Sequence, residues 1–238
     1  MNKSALIIKG YSKSAVELMN DSKIVKLYVD FFSSNAGGVF DPNSEIFILE
    51  EPSIEEINAL NILNSKEYIV VVLIGHGAVK DGVQVFQLKE DLLINPGQIQ
   101  FSCPRQLHII ESCRNKIVVE LEISKINRLI PKYKYGGLIE APLTKKQSLE
   151  IFNNALRTSK CGTLYLFACD IGESAYNYYF LQYFIDISIY VHEYGRNKIY
   201  SALEIFSDVK PKVSNSTKGK QNSIYSGETD FPFVITII

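Results

Sequence analysis

Six short runs of apolar residues, many of them β-branched, punctuate the chain at 4–8, 45–49, 68–74, 106–110, 163–167 and 233–238. Several are apolar at nearly every position rather than at alternate ones. Such runs suit strands covered on both faces, as in a parallel sheet between helical layers. Between them the apolar period lengthens. Over 21–32, Ile24, Leu27, Tyr28 and Phe31 recur at i, i+3, i+4 and i+7 on one helical face, and Asn35, Gly37 and Gly38 end the pattern. Ser53 and Glu56 form a capping box ahead of Ile57, Leu60 and Leu63. Further helices are predicted over 147–157, 174–193 and 196–209, with Pro211 barring extension of the last.

Strands alternating with helices predict an α/β fold, a three-layer α/β/α sandwich around a six-stranded, mostly parallel sheet. In such folds, sites form beyond the carboxyl ends of the parallel strands. Two stretches, 131–144 and 214–227, carry the Gly, Lys, Ser and Asn content of loops. The expected organisation is one domain over 1–238, with a larger portion at 1–130, a connecting loop at 131–148 and a smaller portion at 149–238.

Composition narrows the function classes. A chain of 238 residues that is 46% hydrophobic can bury one large core. A net charge of -1 and a pI near 6.3 lack the excess that draws a protein to nucleic acid or an anionic membrane. The apolar stretch at 175–191 is broken by Asn177, Gln182 and Asp186, so it reads as a core helix and not a membrane span. Met1 leads directly into the first strand with no cleavable leader, and Cys103, Cys113, Cys161 and Cys169 show neither CxxC pairing nor zinc spacing. A cytoplasmic protein with free thiols is expected.

Chemistry-bearing residues gather at two strand ends. Gly75-His76-Gly77 follows the third strand, and Glu111-Ser112-Cys113 closes the fourth. On neighbouring strands, the imidazole and thiol would face each other as base and nucleophile. Taken singly, a buried cysteine is usually a small hydrophobe and a histidine after a strand is usually structural. His108 within a strand and His192 near a helix end suit packing or dipole roles, while Cys169 at a strand end is a second thiol to control for.

Ile74-Gly75-His76-Gly77 and Glu111-Ser112-Cys113-Arg114 resemble the two catalytic segments of the caspase and metacaspase superfamily. The opening Ala5-Leu6-Ile7-Ile8 is similar to the family's first strand. Phe167-Ala168-Cys169-Asp170 and Gly219-Lys220-Gln221 are similar to the small-subunit portion of prokaryotic caspase homologues. Legumain-like peptidases share the His-Gly and Cys arrangement, but the carboxyl-terminal likeness favours the caspase branch. The resemblance implies a cysteine endopeptidase in which thiolate Cys113 attacks a peptide carbonyl, His76 handles protons, the N–H groups of Gly77 and Cys113 hold the oxyanion, and no metal or organic cofactor is required.

In that family the residue two before the nucleophile lines the pocket for the side chain preceding the scissile bond. Glu111 at this position implies a preference for Arg or Lys. Asp170 is either a second carboxylate of that pocket or the N-cap of a following helix. Lys132, Lys134, Lys145 and Lys146 lie where relatives are cut between their two portions, so self-processing at Lys145 or Lys146 stands beside the alternative of a solvated lysine-rich loop. The implied partners are a peptide or protein substrate, an upstream activator, and a second copy paired through the apolar strand at 233–238. A pathway in bacterial defence or cell death follows by analogy alone.

Two features depart from the pattern. Arg114-Asn115-Lys116 stands where relatives carry a glycine, and the Asp clusters of calcium-activated metacaspases are not evident. The alternatives are a caspase-type peptidase of different specificity and an inactive caspase-like module that binds a partner.

Overall fold

The computed structural model describes residues 1–113, 143–176 and 178–237. The 131–142 part of the predicted loop, with Lys132 and Lys134, lies outside the described residues, as does Arg114-Asn115-Lys116. Five parallel strands form the centre: β1 (Lys3–Lys9), β2 (Ile46–Glu50), β3 (Tyr68–Ile74), β7 (Arg105–Glu111) and β8 (Gly162–Phe167). An antiparallel sixth, β10 (Ile224–Ser226), completes the order β10-β8-β7-β3-β1-β2.

Strand periodicity divides the core in two. Ala5, Ile7, Val70, Val72, Ile74, Leu107, Ile109, Leu164 and Leu166 face one side. There they pack on α1 (Ala15–Ser33), α3 (Lys145–Thr158), α4 (Tyr179–Tyr194) and α5 (Ala202–Ser216). Leu6, Ile8, Ile69, Val71, Leu73 and Ile110 face the other side. They are covered by α2 (Ile54–Ala59) and by an antiparallel sheet of β4 (Gly77–Lys80), β5 (Val83–Lys89) and β6 (Leu92–Ile94). The residues apolar in both registers are the ones buried on both faces, as the strand runs required.

Several boundaries differ from the sequence reading. Helix α1 begins at Ala15, not 21, because Ser14 caps it by accepting from Glu17 N–H. Ser201 and Glu204 form a capping box that starts α5, and the residues before it, Ile199–Ser201, are strand β9. Pro211 lies inside α5, so it does not stop the helix. It sits on the exposed face, where water can satisfy the carbonyl it leaves without a donor, while Val209 and Val213 anchor the opposite face in the core. Helix α4 begins at Tyr179, five residues later than expected.

The terminal strand corrects a further expectation. Strand β11 (Pro232–Ile235) pairs antiparallel with β9 in a separate two-stranded sheet, and Phe233, Val234 and Ile235 are buried in the helical layer. The apolar edge that suggested pairing with a second copy is therefore already covered, and the sixth strand of the main sheet is β10. Among the described residues no helix is long and apolar enough to cross a membrane.

A proline in a helix interior costs about 3 kcal/mol, less where its face is solvated. Pro211→Ala should therefore raise stability by about 1–2 kcal/mol, read as a higher urea midpoint at unchanged slope. An unchanged or lowered midpoint would show that the proline relieves strain instead.

Candidate active site

Strands β3 and β7 run parallel, with Ile74 opposite Glu111 at their ends. Gly75 N–H continues the pairing by donating to Glu111 O at 3.3 Å. His76 and Cys113 each follow their strand end by two residues, so both emerge at the same carboxyl edge of adjacent strands. Gly75 turns the chain at φ +152°, a conformation that favours glycine. Gly77 then opens β4 against the end of β7. A Cβ on Gly77 would lie 2.6 Å from Ser112 Cβ and 2.8 Å from Val85 O, so only glycine lets the histidine loop pass this close to the cysteine segment.

The two side chains engage other partners. His76 Nε2 is 3.2 Å from Glu17 Oε2 on α1, and these side chains are 21% and 16% exposed. The half-buried Cys113 thiol donates to Ala175 O at 3.7 Å. Burial pushes the thiol pKa up; Glu111 adds to this, while the cation of Lys13 opposes it. The sulfur is therefore held as a thiol, a poor nucleophile in this arrangement.

Glu111 shares the parity of Leu107 and Ile109 and so turns into the helical layer. Its carboxyl accepts from Leu181 N–H at 3.0 Å, supplying the cap that the start of α4 lacks, since Tyr178 occupies the N-cap in a left-handed conformation and its side chain makes no capping bond to the helix. Oε1 has no partner among the described residues. Burial pushes the Glu111 pKa up to about 8, the Leu181 N–H opposing, so the group is largely neutral at pH 7.

No protein-family model matches the chain, and no curated protein sequence matches it. Solved structures do. The Drosophila initiator caspase Dronc aligns over 94% of this chain and 78% of its own, at TM-score 0.54 and 12% identity. Caspase-1 from Spodoptera frugiperda aligns over 99% of this chain and 88% of its own, at TM-score 0.49 and 12% identity. The fold is caspase-like.

Around this caspase-like edge the remaining candidates fall in different places. Asp170 is exposed in the loop after β8, where Oδ1 accepts from Ile171 N–H at 2.6 Å. It does not cap a helix, because none follows until Tyr179. Glu173 in the same loop accepts from Asn222 N–H at 2.6 Å and Nδ2 at 2.7 Å, tying the loop to the segment before β10. Buried Gln221 holds it too, accepting from Tyr176 N–H and donating to Ala168 O, both at 2.9 Å. Cys169 is buried, with its thiol donating to Ser112 O and Glu173 O. Lys145 and Lys146 stand exposed in the first turn of α3. His108 is buried against the Tyr165 ring, with centroids 4.7 Å apart, and His192 Nδ1 bonds Ile235 O, so both serve packing. Among the described residues no group of three His, Cys, Asp or Glu side chains could hold a metal ion.

The sequence reading did not find Glu17 or Ala175. Ser14 three positions before Glu17 is a capping pattern, which was the available signal for the first. Ala175 acts through its carbonyl, which leaves no trace in residue type.

A folded carboxyl with its pKa raised from 4.5 to about 8 retains a proton that the unfolded chain releases. Stability from this source is fully present below the unfolded value and is lost as pH rises towards 8. Denaturant midpoints of the wild type should thus fall between pH 5 and 8, and Glu111→Gln should flatten that decline by a few kcal/mol at most. Parallel slopes for both proteins would show that Glu111 is not buried neutral.

Proposed function

We propose that this chain is a cysteine endopeptidase of caspase type, with Cys113 as nucleophile and His76 as base. The observation that carries the proposal is the β3–β7 register, which sets the histidine and cysteine beyond the same end of adjacent parallel strands, with Gly77 against Ser112.

The chemistry balances without a metal or cofactor. His76 takes the Cys113 proton as Sγ attacks the scissile carbonyl carbon, and the carbonyl π electrons move onto oxygen. The N–H groups of Gly77 and Cys113 are the donors for that oxyanion. Collapse breaks the C–N bond as His76 protonates the leaving amine. Water, deprotonated by His76, then attacks the thioester, and the released thiolate regains the proton.

The resting arrangement is closed at the thiol, which is held on Ala175 O. Turnover requires the segment carrying Ala175 to withdraw, which would also loosen the start of α4 over Glu111. Once solvated, Glu111 regains its charge and offers a pocket for Arg or Lys, with Asp170, exposed in the loop after β8, as the candidate second carboxylate. Cleavage of the chain itself after Lys145 or Lys146 would need the first turn of α3 to unwind, since a peptidase cleft takes extended backbone. The same closed contacts also favour a second reading, a non-catalytic module that binds a partner.

Fluorogenic peptides ending in Arg, Lys, Asn or Asp, assayed with wild type, Cys113→Ala and His76→Ala, separate these possibilities. Expected is turnover after Arg or Lys, a fall of more than about a thousandfold for Cys113→Ala, and one of about a hundredfold or more for His76→Ala. Turnover after Asp alone would overturn the Glu111 assignment. Activity untouched by Cys113→Ala, with contamination excluded, would overturn the mechanism, and a wild type inert to every peptide would favour the binding module.

A further inference from the structure

The imidazole that would serve Cys113 already has a carboxylate behind it. His76 Nε2 lies 3.2 Å from Glu17 Oε2, and the same oxygen accepts from Lys13 N–H at 2.7 Å. Glu17 sits in the first turn of α1, where its own N–H bonds the Ser14 hydroxyl, so both ends of the residue are fixed. One turn along the helix, buried Asp21 accepts from Ser12 Oγ at 2.6 Å and from Tyr178 Oη at 2.5 Å. These bonds pin the start of α1 to the chain before it and to the segment ahead of α4. The Lys13 cation also acts on the Cys113 thiol. The start of α1 and the residue just before its cap thus address both members of the pair.

We infer that Glu17 is the positioning residue of His76: it holds the imidazole with Nε2–H donated to its carboxylate, which leaves Nδ1 as the atom that takes the thiol proton. This rests on the peptidase reading of His76 and Cys113 and adds a third member to it. Among the described residues Nδ1 makes no hydrogen bond, so the Glu17 contact is the hydrogen bond that sets the tautomer, with the Asp21 carboxyl nearby acting on the ring through its charge. When Nδ1 accepts the proton, the developing imidazolium faces a partly buried carboxylate, where the attraction is screened less than at the surface. A capping role explains the Lys13 and Ser14 bonds of Glu17 but not its approach to His76, which lies 59 residues away in sequence.

Nitrogen-15 NMR of the histidine side chains separates positioning from capping without relying on turnover. The wild type should show His76 protonated at Nε2 in its neutral form. Glu17→Ala should give a mixture of tautomers, and Glu17→Gln, which keeps an acceptor without the charge, should retain the wild-type pattern. Ser14→Ala removes the helix cap and should lower thermal stability while leaving the pattern intact. In turnover, kcat should fall about tenfold to a hundredfold in Glu17→Ala with KM changed less than twofold, and Glu17→Gln should recover part of the loss. An Nδ1–H tautomer in the wild type, or a pattern unchanged in Glu17→Ala, would overturn the proposal. A wild type with the Nε2–H tautomer released by Glu17→Ala but no peptidase activity would uphold the positioning and defeat the peptidase reading instead.

Discussion

The parallel pairing of β3 with β7 is the constraint on which the site depends. With Ile74 fixed opposite Glu111, residues two positions beyond each strand must leave the sheet at one edge, and side-chain parity decides which way each residue in the strands turns. A slip of one residue would turn Glu111 out of the helical layer and separate Gly77 from Ser112. The register is specified by burial: Val70, Val72 and Ile74 must reach one core while Ile69, Val71 and Leu73 reach the other. The stability of the fold and the placement of the candidate dyad thus have the same cause.

A second layer of interactions keeps that edge closed. The segment between β8 and α4 is fastened by Glu173 to Asn222, by Tyr176 to Gln221 and by Tyr178 to Asp21, and its Ala175 carbonyl takes the Cys113 thiol. Beneath it Glu111 remains neutral, because the interior charges heavily for an unpaired carboxylate and offers one N–H in return. Thiol, carboxyl and helix start are therefore coupled. Any event that lifts the segment exposes the Cys113 thiol and the Glu111 carboxyl together.

Much of this was legible in the sequence, for a physical reason. Strands buried on both faces leave continuous apolar runs, and β1, β3, β7 and β8 were found within two residues of their ends because nothing else explains such runs. The hairpin of β4 and β5 was not read, although Asp81-Gly82, at φ 53° and 78°, forms the turn that suits two twisted strands, because its half-exposed sides blur the alternation. The terminal strand was misplaced because apolar content reports burial and not which sheet supplies it. Pro211 misled because its cost depends on whether its face meets water. Within the site, His76, Gly77 and Cys113 could be named from strand ends, whereas the inward turn of Glu111 and the reach of Glu17 depend on tertiary packing that residue spacing does not encode.

Covalent capture tests the central claim most directly, because the chain supplies its own control in the exposed thiol of Cys161. The protein would be treated with a peptidyl chloromethyl ketone ending in Lys, then analysed by intact mass and peptide mapping, with His76→Ala in parallel. Expected is a single adduct on Cys113 that is strongly diminished in His76→Ala. Labelling confined to Cys161, or labelling of Cys113 at the same rate without His76, would contradict the account.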